Sequence, residues 1–159
     1  MYDVSIMNKC AKDATFTSKH NIGGPFGAAI VKDGKTICFR SNSVLSTHDP
    51  TAHAEINAIR AASLELKTYD LSGCELYATG YPCPMCLGAI MWANIKKVYI
   101  SGTLEDAENI GFKDKFIYET IDKLQKMCYN INGLDIEFHD RNIAQTLYQN
   151  YKNNQHTIY

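Results

Sequence analysis

Three side chains in this sequence have the types and spacing to hold a transition metal. Cys83 and Cys86 stand in Pro82-Cys83-Pro84-Met85-Cys86, and His53 stands upstream in His53-Ala54-Glu55. Two thiolates and an imidazole suit zinc. Three protein ligands leave the fourth tetrahedral position to a water, which is the arrangement of a catalytic rather than a structural site. A Cys-x-x-Cys alone is shared with redox motifs and half zinc ribbons; its pairing with His-x-Glu narrows the reading to catalytic zinc. Zinc on His53, Cys83 and Cys86 would lower the pKa of its bound water from about 15.7 toward about 7. Thiolate donation blunts that acidity, so a base is still required, and Glu55, which is not counted as a ligand, supplies it.

The neighbouring elements are read from what these residues need. His53 and Glu55 are two positions apart and do not share a face of a regular helix, so they belong to a helix's opening turn. Asp49-Pro50-Thr51 is the start signal for that helix, which is predicted to run to about Leu66. Pro84 suits a first helical position, with the helix continuing through Leu87, Ile90 and Met91 to about Ala93, so Cys83 and Cys86 also lie at a helix start. The free N–H groups and positive dipole end there favour thiolate.

Upstream, Val4, Met7, Ala11 and Ala14 predict an amphipathic first helix. Phe26 to Val31 and Thr36 to Ser43 predict an antiparallel strand pair across the Asp33-Gly34 turn, with Gly27, Ala28 and Ala29 small enough for close helix approach. Cys74 to Thr79 predicts a third strand and Lys97 to Ser101 a fourth, parallel to it because a helix intervenes; Asn94 ends that helix. Asp135 to His139 predicts a short fifth strand, and Ile143, Leu147 and Tyr151 a last helix. Asn42, at the end of the second strand, is either a turn former or an amide that reads the edge of a ligand. Phe26, Trp92 and the tyrosines are candidates for stacking, against the plainer alternative of core packing. The charged stretch from Thr103 to Ile117 reads as a solvated loop or helix.

Composition bounds the partners. The chain has 159 residues, 45% of them hydrophobic, enough for one core. Sixteen basic against 17 acidic residues give a net charge of −1, so a phosphate backbone is not the expected partner. The first residues carry no apolar run for a signal peptide or membrane span, so a cytoplasmic protein with no membrane partner is expected. Cys10, Cys38, Cys74 and Cys128 are then small buried hydrophobes rather than disulfide partners.

The joint pattern H-x-E and P-C-x-x-C is the signature of zinc nucleobase deaminases. Together with Gly23-Gly24-Pro25-Phe26-Gly27-Ala28, Asn42, Thr51-Ala52-His53-Ala54-Glu55 and Cys86-Leu87-Gly88-Ala89-Ile90, it makes the chain resemble the cytidine deaminase superfamily, and within it the bacterial guanine deaminases. The resemblance implies a three-layer α/β/α domain over 1–159 with a five-stranded mixed sheet. It implies one zinc per subunit between two helix starts, and hydrolytic deamination of a free base, guanine to xanthine and ammonia. Glu55 would carry the water's proton to the ring nitrogen beside the attacked carbon and then to the departing amine.

The narrower likeness rests on Asp106-Ala107, Gly111-Phe112-Lys113-Asp114, Phe116-Ile117-Tyr118 and the terminal Tyr159. It implies that Asp114 is a second proton-handling group and that Tyr159 covers the base. It also implies a homodimer exchanging C-terminal segments, about 140–159. Tyr81 departs from the pattern, since many relatives have an acidic residue there. The competing readings are a tRNA adenosine deaminase, a cytosine or triazine deaminase, and a non-catalytic zinc-binding interaction domain. The first needs cations for an anticodon loop, and Asn142 to Asn154 offers only Lys152; the last would have no use for Glu55.

Overall fold

The amphipathic N-terminal spacing becomes helix α1, Val4–Lys19, whose cap Asp3 accepts from the Ser5 N–H at 2.8 Å. The computed structural model describes residues 2–126, 130–131, 134–136 and 139–153. The chain divides into two units, Met1–Ile117 and Tyr118–Tyr159.

In the first unit, strands β1 (Gly27–Lys32) and β2 (Lys35–Ser41) pair antiparallel. Asp33 at φ 50° and Gly34 at φ 75° join them. Two consecutive positive φ values give a turn whose twist matches that of the strands, which is why the Asp-Gly dipeptide sets this register. Strand β3 (Cys74–Ala78) pairs antiparallel with the other side of β1, and β4 (Lys97–Ile100) runs parallel to β3, giving the order β2-β1-β3-β4.

Period-two alternation sends β1 side chains to two cores. Ala29 and Val31 join Ile6, Met7 and Cys10 of α1 on one face. Ala28 and Ile30 join Ala54, Ala58 and Ala62 on the other face, together with Ile90. The latter come from α3 (Ala54–Leu66) and α4 (Pro84–Trp92). The result is three layers, with α1 on one side of the sheet and α3 and α4 on the other. Alanines along α3 and Gly27 under α1 let the layers close tightly: a Cβ on Gly27 would lie 2.3 Å from the Cys10 carbonyl oxygen.

One expectation about the sheet is corrected. Among the described residues the main sheet has four strands, not five. The strand expected over Asp135–His139 lies partly outside the described residues; among those described, the second unit has a two-stranded antiparallel ribbon, β5 (Asn130–Ile131) with β6 (Leu134–Asp135). The sequence between them, Asn132-Gly133, is a strong hairpin signal that outweighs the alternation after it.

Helix α3 also begins at Ala54, later than Asp49-Pro50-Thr51 suggested. Asp49 turns back on its own segment, its carboxylate accepting from the Thr51 N–H at 2.8 Å and hydroxyl at 2.7 Å. This Asx turn uses the capping oxygen before the helix starts.

The single-turn helix α2 (Val44–Thr47) lies between β2 and α3. Thr103 to Ile117 resolves into α5 (Leu104–Asn109), closed by a Thr103–Asp106 capping box, and the start of α6 (Asp114–Gln125). The last helix is α7, Arg141–Asn153. Cys10 and Cys74 are buried and Cys38 half-buried; Cys128 lies outside the described residues. No described helix is long and apolar enough to cross a membrane.

Candidate zinc site and catalytic pocket

Two helix N-termini converge on one point. His53 is the N-cap of α3 and Cys83 the N-cap of α4, both with extended backbone (ψ 157° and 169°) and neither using its side chain as a cap. An N-cap side chain stands across the helix end, so both are available to a metal. Cys86 lies on the first turn of α4 and is fully buried. His53 Nδ1 is 3.6 Å from Cys83 Sγ and 3.6 Å from Cys86 Sγ, and all three ligand atoms lie within 4.8 Å of one another. Zn–S bonds of about 2.3 Å and Zn–N bonds of about 2.0–2.1 Å at the tetrahedral angle require N···S edges of roughly 3.6 Å. The donor set therefore fits zinc in chemistry and in spacing.

The charges around the donors follow from their crowding. Hydrogen bonding from Cys86, then from His53, holds the Cys83 thiol down to about 4, while the same pairing with Cys83, and burial, push Cys86 up. His53 is raised by its bond to Cys83. The two sulfurs thus differ in how readily they release a proton, and a cation bound to both would displace whatever protons they hold.

Glu55, in the first turn of α3, is only 7% exposed. Burial raises its pKa, and a hydrogen bond with Cys86 ties it to the metal-binding side of the pocket. A carboxyl raised in this way is a better match to proton transfer near neutral pH than an exposed one. Asp114, at the start of α6, is raised by burial and then by the charge of Cys83.

A cavity of about 30 Å³, room for water, is lined by Phe26, Asn42, His53, Glu55, Tyr81, Cys83, Phe112 and Asp114. It adjoins a larger, mostly apolar hollow of about 260 Å³ that shares Asn42, His53 and Phe112 and adds Val44, Leu45 and Pro50. The structure therefore brings together His53, Cys83, Cys86, Glu55, Asn42, Phe26 and Asp114. Trp92 is elsewhere: it is the last residue of α4, at the end away from Cys83, and 69% exposed. Tyr159 lies outside the described residues. Tyr81, the departure from the family pattern, is on the cavity wall.

Asn42 is a turn former, and it also lines the cavity. Its Oδ1 accepts from the Gly24 and Val44 N–H groups, each at 3.1 Å, as a turn former's would. Two converging donors fix which end of the amide is oxygen; the NH₂ is not a sealed group without a partner, and Asn42 lines the cavity.

Two further residues contribute, neither with a role assigned from the sequence. Phe112 meets Phe26 edge to face, with centroids 4.8 Å apart; its one signal was an aromatic two positions before Asp114. Asn57 Nδ2 spans the Ser41 carbonyl (3.0 Å), Ser43 Oγ (3.0 Å) and the Ala52 carbonyl (3.2 Å), tying the Asn42 loop to the segment before His53. Nothing in the sequence distinguishes that Asn from any polar residue inside a helix.

The fold and the donor set define an α/β/α domain with three side chains able to hold a metal ion beside a buried carboxyl. A family profile for the cytidine and deoxycytidylate deaminase zinc-binding region matches residues 2–102, and the chain belongs to this family. It is 55% identical over 102 residues to the guanine deaminase of Bacillus subtilis, covering 64% of this chain and 65% of that protein. The X-ray structure of guanine deaminase from Bacillus subtilis superposes with a TM-score of 0.91 at 38% identity, covering 100% of this chain and 99% of the other. A tRNA-specific adenosine deaminase of Aquifex aeolicus is 51% identical over 77 residues, covering 48% of this chain and 51% of that one. The chain thus spans between half and two thirds of the length of these two curated relatives.

Proposed function

We propose that the chain is a zinc-dependent aminohydrolase converting guanine and water to xanthine and ammonia. The observation that carries the reading is the buried Glu55 carboxyl set against three donors already at zinc-binding spacing. Guanine is favoured over tRNA adenosine by the end-to-end superposition on a guanine deaminase, against a match to about half of the tRNA enzyme.

When bound, zinc supplies the Lewis acidity that makes a water nucleophilic at neutral pH. His53, Cys83 and Cys86 hold it, one ion per subunit. Glu55 takes the proton of that water and delivers it to the ring nitrogen beside the attacked carbon. It then takes the remaining proton of the added oxygen and passes it to the amine, which leaves as ammonia, so the carboxyl ends the cycle as it began. Asp114, across the same cavity, handles the second proton on the departing amine. Asn42 donates from Nδ2 to the base edge, and Phe26 with Phe112 forms an apolar wall for the ring. The wider pattern belongs to the same reading: a cytoplasmic homodimer of a single deaminase domain, 1–159, with segments of about 140–159 exchanged and Tyr159 over the base.

The test is guanine consumption with xanthine and ammonia release by zinc-replete protein, run beside Glu55→Ala. Turnover by the wild type alone supports the assignment. Zinc-loaded wild type inert on guanine rejects it and turns the search to cytosine, triazines and tRNA.

A further inference from the structure

We infer that Gly23 is a positioning residue that locks the Asn42 amide with its donor end facing the cavity, so that the site selects bases presenting a hydrogen-bond acceptor to that wall. The inference rests on the reading of Asn42 as a base contact.

A Cβ on Gly23 would lie 2.3 Å from the Asn42 carbonyl oxygen, 2.3 Å from Oδ1 and 2.6 Å from the carbonyl carbon. Space at Gly23 is therefore filled by Asn42 itself, backbone and side chain together. The Asn42 backbone cannot retreat cheaply, because its N–H donates to the Phe26 carbonyl at 2.9 Å. The next residue is pinned as well, with the Ser43 N–H donating to the Ala52 carbonyl at 3.0 Å and Asn57 Nδ2 bonding Ser43 Oγ. With the backbone fixed, the side chain has one orientation that satisfies the Gly24 and Val44 N–H donors, and it uses the oxygen. Turning the amide over would set NH₂ against two N–H groups and strand a buried pair of donors. Asn42 is 4% exposed, so water does not relieve that cost. What remains for a ligand is Nδ2, which only donates.

The experiment compares wild type, Gly23→Ala and Asn42→Asp by guanine kinetics, zinc content and the side-chain amide resonances of Asn42, assigned by their loss in Asn42→Asp. Asp keeps an oxygen for the two N–H donors and turns the cavity-facing end from donor to acceptor. Gly23→Ala is expected to raise the guanine KM about tenfold or more, with kcat falling by less, zinc unchanged and the Asn42 amide resonances shifted. Asn42→Asp is expected to raise KM about a hundredfold or more with zinc retained. Unchanged KM in both variants, or unmoved Asn42 resonances in a folded Gly23→Ala protein, overturns the inference. Should Gly23→Ala not fold, Asn42→Asp decides by KM alone. Wild type inactive on guanine would reject the functional assignment instead, and the resonances would still decide whether Gly23 orients the amide.

Discussion

Glu55 is buried beside the metal donors and hydrogen-bonds Cys86. It is not among the clustered metal donors, and a helix does not need a buried carboxyl on its first turn, where an exposed one would serve the dipole as well. Its burial costs stability, and in the proposed mechanism that cost is offset by proton transfer. Glu55→Gln is therefore expected to lower kcat by about 100- to 10,000-fold while metal analysis finds zinc at the wild-type level; a fully active or zinc-free variant contradicts the role. The raised pKa gives a second readout. A carboxyl that prefers to be neutral in the fold costs nothing below its unfolded value of about 4.3 and destabilises as pH rises through its higher folded value. In metal-depleted protein the melting temperature of Glu55→Gln should thus gain on the wild type as pH rises from about 4 to 7. Cys10 is the opposite case. Burial pushes its thiol up to about 12, and it should resist alkylation in native protein and react once urea opens the fold.

At the scale of elements, the decisive contact is α1 on β1. Gly27→Ala sets a methyl 2.3 Å from the Cys10 carbonyl oxygen, and neither backbone can swing aside as a long side chain would. A loss of about 1–3 kcal/mol is expected, read as a lower urea midpoint at unchanged m-value; an unaltered midpoint would show that α1 is free to shift. Much of this layering was legible in the sequence. Asp33-Gly34 set the hairpin, Pro84 set the start of α4, and the spacing of Val4, Met7, Ala11 and Ala14 set α1, because each acts through neighbours a few residues away. The zinc donors were legible for another reason: metal chemistry restricts residue type so strongly that spacing suffices. What escaped depended on distant partners. Asp49 was read as a helix cap, but its oxygen serves Thr51. Trp92 was read as a stacking ring, yet nine helical residues carry it to the far end of α4. Asn57 and Phe112 gain their roles only when the loops at Asn42 and Gly111 meet the helix starts.

At the scale of the whole fold, Cys83 and Cys86 of the site pack with Ile56 of α3 in a small cluster of their own. The donors come from two helices whose buried faces, Ala54 and Ala58 of α3 with Ile90 of α4, share one core against the sheet. Zinc bound there cross-links the helix starts, and ligand that binds the native state alone stabilises it by mass action. Chelation should therefore lower the melting temperature, and re-addition of zinc should restore it together with activity. The same global view bears on the substrate. A net charge of −1 gives no long-range pull on a polyanion, and a neutral base exchanges no counterions on binding. The guanine KM should then stay within about twofold between 50 and 200 mM salt, whereas an enzyme that neutralised several phosphates would lose affinity by orders of magnitude over that range. A steep salt dependence would mean that the surface around the pocket, and not the pocket alone, takes hold of the substrate, and would return the tRNA reading to first place.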